Sequence, residues 1–177
     1  MVSFTVDRRH VSMVTVMERR VPYIPQVGAD DCGAASLAMV MAYYGRHVPL
    51  AEVRQAFGVA SEATSALAVI KVARANGFNA EGFWADLDHL GDFPVPAILH
   101  WKSGHFVVLE RVTPSGVALV DPACGPRFVS NELLQTAFTG VALTFEPSST
   151  FEPRGRWRRI RSFCSSIIRR MKRTGET

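Results

Sequence analysis

The chain has 177 residues and 47% apolar content, enough for one domain with a real core, and carries a net charge of +4. That charge belongs to one end: residues 1–151 hold 11 Lys/Arg against 14 Asp/Glu and sum to −3, whereas residues 152–177 hold 9 against 2 and sum to +7. A basic nucleic-acid-binding body is thereby excluded, and so is a disulfide framework, since Cys32, Cys124 and Cys164 are too few and none has metal-ligand spacing to a histidine.

Three cysteines in this pattern fit a reducing compartment. No apolar stretch follows the charges of the first ten residues, so the start does not read as a signal peptide. An uncharged run such as 33–45 is too short to cross a bilayer. The isolated chain is expected to be soluble.

In chain order, residues 1–20 form a charged, aperiodic lead-in with a strand expected at 11–16. Val21-Pro-Tyr-Ile-Pro25 is extended by its prolines and delivers the chain to Gln26. A helix is expected over 32–44, with Leu37, Val40, Met41 and Tyr44 at helical spacing and Gly45 as its cap. It is apolar nearly all round and therefore central. A short helix follows over 50–57 behind Pro49, and a third over 65–75, stopped by Asn76-Gly77.

From there the period changes to that of strands. Strands are expected at 78–84 and 96–101, with a short helix or loop at 86–92 between them. Thr113-Pro-Ser-Gly116 marks a hairpin joining 105–112 to 116–121. A strand at 127–129, a helix at 131–137 capped by Ser130 and a last strand at 141–145 complete the body. The expected class is α+β, helices packed on one side of an antiparallel sheet. The expected divisions are a lead-in (1–20), a single domain (21–150) and a basic amphipathic tail (151–177), in which nine Lys/Arg surround Trp157, Ile160, Cys164, Ile167 and Met171. Such a tail reads either as a solvated segment or as one that seeks an anionic membrane surface.

The chemistry gathers at Cys32. A helix beginning there sets the sulfur beside unpaired backbone N–H groups and the positive end of the helix dipole, which lowers a thiol's pKa. A buried lone cysteine is more commonly a core residue, so a base and its orienter are required. Of the five histidines, His10, His47 and His89 lie in solvated stretches. His105 opens the apolar strand Phe-Val-Val-Leu, and His100 stands on the other side of the Trp-Lys-Ser-Gly loop as a second candidate base. The hairpin returns Asp121 alongside. A register pairing Asp121 with His105 or with Val107 places both on one face, so that Asp121 accepts the His105 Nδ1–H. Asp-Pro is also a common turn starter.

Gln26, Asp31-Cys-Gly-Ala-Ala-Ser-Leu-Ala-Met-Val40 and Tyr43-Tyr-Gly45 closely resemble the first motif of the bacteriocin-processing peptidases, family thirty-nine of the papain-like cysteine peptidases. His105-Phe-Val-Val-Leu109 resembles their histidine motif. Asp121-Pro-Ala-Cys-Gly125, with Phe138-Thr-Gly-Val141 and Phe145-Glu-Pro147, resembles the aspartate motif and closing strand. Ala35-Ser-Leu-Ala-Met-Val40 and Pro96-Ala-Ile-Leu-His-Trp101 resemble the branch paired with nitrile-hydratase-leader-like (NHLP) precursors. Ser36 departs from the many members that carry a second cysteine there.

The resemblance implies a papain-like fold and a cysteine endopeptidase that cuts a precursor's leader after a Gly-Gly or Gly-Ala pair. By position, Cys32 is the nucleophile, His105 the base and then acid, Asp121 its orienter, and Gln26 the side-chain donor of the oxyanion hole. A narrow channel is expected to impose the preference for glycine, and a hydrophobic groove to receive the upstream leader. No cofactor is implied for the peptidase itself, ATP entering only through a transporter nucleotide-binding part absent from this chain. The implied partners are a Gly-Gly-type precursor peptide and the transmembrane and ATP-binding parts of an ABC exporter, in cis or in trans. The implied location is the cytoplasmic face of the bacterial inner membrane. The competing expectation keeps the fold but makes it a catalytically silent substrate-binding module of an exporter.

Overall fold

The computed structural model of the chain describes residues 19–58 and 65–154. The strand expected at 11–16, His10 and the basic tail from residue 155 onward lie outside them.

The centre is helix α1, Cys32–Tyr43, whose residues from Cys32 to Ala42 are all buried. It carries no charge, and its hydroxyl at Ser36 finds a partner in the Phe106 carbonyl at 3.2 Å, so full burial strands no polar group. Gly45 takes φ +89° behind it and ends the helix. Helices α2 (Leu50–Ala56) and α3 (Ala66–Ala75) follow, the latter capped by the Ser65 hydroxyl, which accepts from Ala68 N–H.

Six strands follow: β1 (Phe78–Trp84), β2 (Ala97–Trp101), β3 (His105–Thr113), β4 (Gly116–Asp121), β5 (Gly125–Ser130) and β6 (Phe138–Pro147), with α4 (Asn131–Ala137) between the last two. They form one antiparallel sheet in the order β1-β6-β2-β3-β4-β5. The Phe-Val-Val-Leu run of β3 is continuously apolar because the sheet is covered on both faces. Phe106 and Val108 face α1, and Val107 and Leu109 face a second core.

That second core corrects the expectation of helices on one side only. α1, α2 and α3 pack on one face, but Leu134 of α4 and Leu90 of the 3-10 turn Leu87–Asp92 cover the other. Alternation along β2, β3 and β4 leaves Leu99, Val107 and Leu119 pointing away from α1, and these residues need a cover of their own. β6 also begins earlier than expected, at Phe138 paired with Trp101. Gly140, at φ +92°, interrupts the apolar pattern there without ending the strand.

Residues past 150 still join the core. Phe151 packs edge-on against Phe78 with ring centroids 4.6 Å apart, and the Arg154 carbonyl accepts His47 N–H at 2.8 Å. Gly77, at φ +85°, permits this approach, since a Cβ there would lie 2.9 Å from the Phe151 Cα.

Candidate active site

Cys32 is delivered by a tightly bonded turn. Gly28 N–H donates to Asp31 Oδ2 at 2.7 Å and Asp31 N–H returns to the Gly28 carbonyl at 3.2 Å. The other carboxylate oxygen, Oδ1, meets Arg54 Nε of α2 at 2.7 Å. Asp31 is buried, and both its oxygens are occupied, so the residue before the thiol is fixed from two directions. The 3-10 turn Ala29–Asp31 then runs directly into α1 with Cys32 as the junction.

The β3–β4 hairpin supplies the rest. Its register sets Val108 opposite Val120 and Leu109 opposite Leu119. One further step sets Asp121 opposite Val107, one of the two registers that put it on the His105 face. His105 Nε2 lies 2.8 Å from Asp121 Oδ1. The expected atom is Nδ1; the structure uses Nε2, and the Cys32 thiol is the second side chain that acts on the imidazole. A ring held between two partners must give each a different nitrogen. Asp121 Oδ1 also accepts Ala123 N–H at 2.9 Å, so the Asp-Pro turn is a turn starter and a site element at once.

The electrostatics follow from these contacts. Burial pushes the Cys32 thiol up, but its hydrogen bond to His105, the backbone of Phe106, the His105 charge and the Gly33 backbone outweigh burial and bring it below its ordinary 9.0. His105 is raised from 6.5 to about 9, first by the Asp121 hydrogen bond and then by that to Cys32, against the opposing effect of burial. Burial likewise pushes Asp121 up, and the His105 hydrogen bond, Ala123 N–H, the imidazolium charge and the Cys124 thiol together bring it down. The three groups thus favour a thiolate, an imidazolium and a carboxylate in a row.

Gln26 is tied to the same corner: its N–H donates to the Pro122 carbonyl at 3.0 Å, and its Nε2 donates to the Gly28 carbonyl at 3.1 Å. An amide NH₂ has two hydrogens, so one remains after the Gly28 bond. Gln26 Oε1 is buried with no partner among the described residues.

His100, the second candidate base, is directed elsewhere. Its Nδ1 lies 3.1 Å from Thr139 Oγ1, while that hydroxyl donates to the His100 carbonyl at 2.9 Å. One hydroxyl hydrogen serves the carbonyl, so the Nδ1–H donates, and burial pushes the imidazole below 6.5: His100 is a neutral structural residue. His89 is exposed beside Asp92. Three residues near the site were not assigned a role in advance. Ser36, one turn beyond Cys32, clasps Phe106; Arg127 approaches Asp121 Oδ2 at 3.4 Å; and Arg54 holds Asp31. Only Ser36 left a sequence signal, as a departure from the motif. Among the described residues there is no cluster of three or more His, Cys, Asp or Glu able to hold a metal ion, and no helix long and apolar enough to cross a membrane.

Residues 20–150 match the Peptidase C39 family. The chain belongs to that family. It is 36% identical over 152 residues to the colicin V secretion/processing ATP-binding protein CvaB of Escherichia coli, covering 85% of this chain and 22% of that protein. It is 34% identical over 139 residues to the transport/processing ATP-binding protein ComA of Streptococcus pneumoniae, covering 74% and 19%. The chain thus spans about a fifth of the length of these C39 relatives. Among solved structures, a double glycine motif protease from an AMS/PCAT transporter, in complex with the leader peptide, superposes with a TM-score of 0.70 at 41% identity over 76% of this chain and 97% of that one. The peptidase domain of Streptococcus ComA, a bi-functional ABC transporter of a quorum-sensing pathway, gives 0.68 at 27% identity over 73% and 100%. The papain-like C39 fold expected from the motifs is the fold observed.

Proposed function

We propose that this chain is the leader peptidase of a peptide exporter: a cysteine endopeptidase that cuts a ribosomally made precursor after a Gly-Gly or Gly-Ala pair. The observation that carries this reading is the contact of His105 Nε2 with Asp121 Oδ1 at 2.8 Å, beside a thiol brought below its ordinary pKa at a helix start.

In this reading the Cys32 thiolate attacks the scissile carbonyl carbon, forming an S–C bond and an oxyanion. The remaining Gln26 Nε2–H and the Cys32 backbone N–H bind that oxyanion. The C–N bond breaks as the His105 imidazolium gives its proton to the leaving amine. Neutral His105 then takes a proton from water, the hydroxide attacks the thioester carbon, and the C–S bond breaks to restore the thiolate. Asp121 holds His105 throughout.

The upstream leader docks on the exposed apolar surface of α3 and β1. Leu67 is 60% and Trp84 84% exposed. Gly82 of β1, two residues before Trp84, offers no side chain, and a Cβ there would meet Ile70 Cδ1 of α3 at 3.2 Å. Such spaced apolar side chains suit the hydrophobic face of a helical peptide. In this reading the chain sits on the cytoplasmic face beside the membrane-spanning and ATP-binding parts of an ABC exporter; that its relatives are secretion/processing and transport/processing ATP-binding proteins supports an exporter context.

The test is incubation of the protein, and of Cys32→Ala, with a peptide carrying a Gly-Gly leader, followed by mass spectrometry. Cleavage after the pair by the parent and none by the variant is expected. Binding without cleavage by the parent would instead make this a recruiting module, and undiminished cleavage by Cys32→Ala would remove Cys32 as nucleophile.

A further inference from the structure

Arg127 lies on the edge strand β5, opposite Leu119 and one diagonal step from Asp121, which is paired with Gly125. Its NH1 is 3.4 Å from Asp121 Oδ2. The other oxygen, Oδ1, is shared by His105 Nε2 and Ala123 N–H. The same guanidinium stands over the Trp101 ring, 5.7 Å from its centroid, and Trp101 is the residue that β2 sets opposite His105. Residues of four neighbouring strands therefore close a ring: His105 on β3, Asp121 on β4, Arg127 on β5 and Trp101 on β2.

We propose that Arg127, braced on Trp101, is a positioning residue for peptide cleavage, holding Asp121 Oδ2 so that Oδ1 stays on His105 Nε2. This rests on the reading of Cys32, His105 and Asp121 as the catalytic set. A carboxylate turns readily about its last torsion, and the bonds to Oδ1 leave Oδ2 as the lever for that rotation. A guanidinium both stacks on an indole face and points an N–H at an oxygen, which an ammonium does less well. Two consequences of removing it differ in sign. Loss of its charge alone frees more of the Asp121 charge for His105 and makes the imidazole more basic. Loss of orientation weakens the His105–Asp121 bond and makes it less basic. A positioning role requires the second.

The experiment uses the pH dependence of Cys32 alkylation by iodoacetamide, read by peptide mass mapping so that Cys124 and Cys164 are scored separately; it needs no leader peptide. In the parent, Cys32 should react well below the pH at which an ordinary thiol does. Arg127→Met should slow Cys32 alkylation at neutral pH by about three- to tenfold. In leader cleavage the same variant should lower kcat more than it changes KM and move the alkaline limb to lower pH. In an Asp121→Asn background, adding Arg127→Met should change none of these further. Arg127→Lys should fall between parent and Arg127→Met, and it carries the test alone should Arg127→Met fail to fold. Equal losses in both backgrounds, an alkaline limb that stays or moves up, or parent-like rates in Arg127→Lys would overturn the role of Arg127 while leaving the triad standing. A parent Cys32 of ordinary thiol reactivity would overturn the triad and this role together.

Discussion

The backbone N–H of Gln26 donates to the carbonyl of Pro122 at 3.0 Å. This bond joins the segment that carries the proposed oxyanion donor to the turn that begins at Asp121, the proposed orienter of His105. Both are far apart in sequence, yet neither can shift without the other. Because the tie is made by main chain, it survives removal of the Gln26 side chain. Gln26→Ala should therefore leave folding and leader affinity near those of the parent while lowering kcat by about a hundred- to a thousandfold, the usual cost of losing one oxyanion donor. Steady-state cleavage of a Gly-Gly leader peptide, with KM and kcat separated, checks this; unchanged kcat removes Gln26 from the oxyanion hole.

The pH profile is set by the same contacts. The proposed mechanism needs Cys32 ionised and His105 protonated. His105 is raised to about 9, so it holds its proton below that pH and loses it above, placing the alkaline limb of kcat/KM near 9. Asp121→Asn removes the largest raising influence and should move that limb down toward 6.5. Stability follows the same sign: a folded-state pKa raised from 6.5 to about 9 contributes fully below 6.5 and is lost as pH climbs through about 9. In the parent the Cys32 thiol, lowered from 9.0, releases a proton that offsets this loss; in a Cys32→Ala background, where no thiolate forms, urea midpoints should fall as pH climbs above 6.5 and flatten once Asp121→Asn is added.

Asp31 sets a part-buried hydrogen bond beside an exposed ion pair. Its carboxylate is buried where it accepts Gly28 N–H, whereas its partner Arg54 has a side chain 49% exposed. Arg54→Ala should cost less than about 1 kcal/mol of stability. Asp31→Ala leaves the Gly28 N–H unpaired and should cost about 1–3 kcal/mol. It should also depress cleavage, because Gly28 in turn holds the Gln26 amide. Denaturation curves and kcat for the two variants give the comparison, and equal losses would contradict it.

The proposed docking surface should act on binding and not on chemistry. Leu67→Ser and Trp84→Ala remove exposed apolar side chains remote in sequence from Cys32. Each should raise KM for a full-length leader by about threefold to thirtyfold, the range expected for withdrawing one such group from a contact. Neither should alter kcat, nor cleavage of a short peptide spanning only the scissile pair. A matching loss on the short peptide would place the defect in the site instead.

Local chemistry written along the chain settled much of this protein in advance. The uncharged run after Cys32 can only be a buried helix, since an exposed one would leave its apolar residues in water. The strand period, the Thr-Pro-Ser-Gly turn and the Ser130 cap located β1, β4 and α4, and the order of Gln26, Cys32, His105 and Asp121 was legible from motifs. What a linear pattern does not contain is which partner each atom meets once distant segments are brought together. Which nitrogen of His105 meets Asp121 depends on how the β3–β4 hairpin brings the two side chains together. The tautomer of His100 depends on Thr139, 39 residues away, and its lowered pKa on burial. The second core under the sheet arises because Leu99, Val107 and Leu119 project from three strands at once, and Arg127 reaches Asp121 and Trp101 only because β5, β4, β3 and β2 lie side by side. Burial, helix ends and turns are short-range and were therefore readable from the sequence. The ring of contacts around His105 is a property of strand order and register, which tertiary structure alone decides.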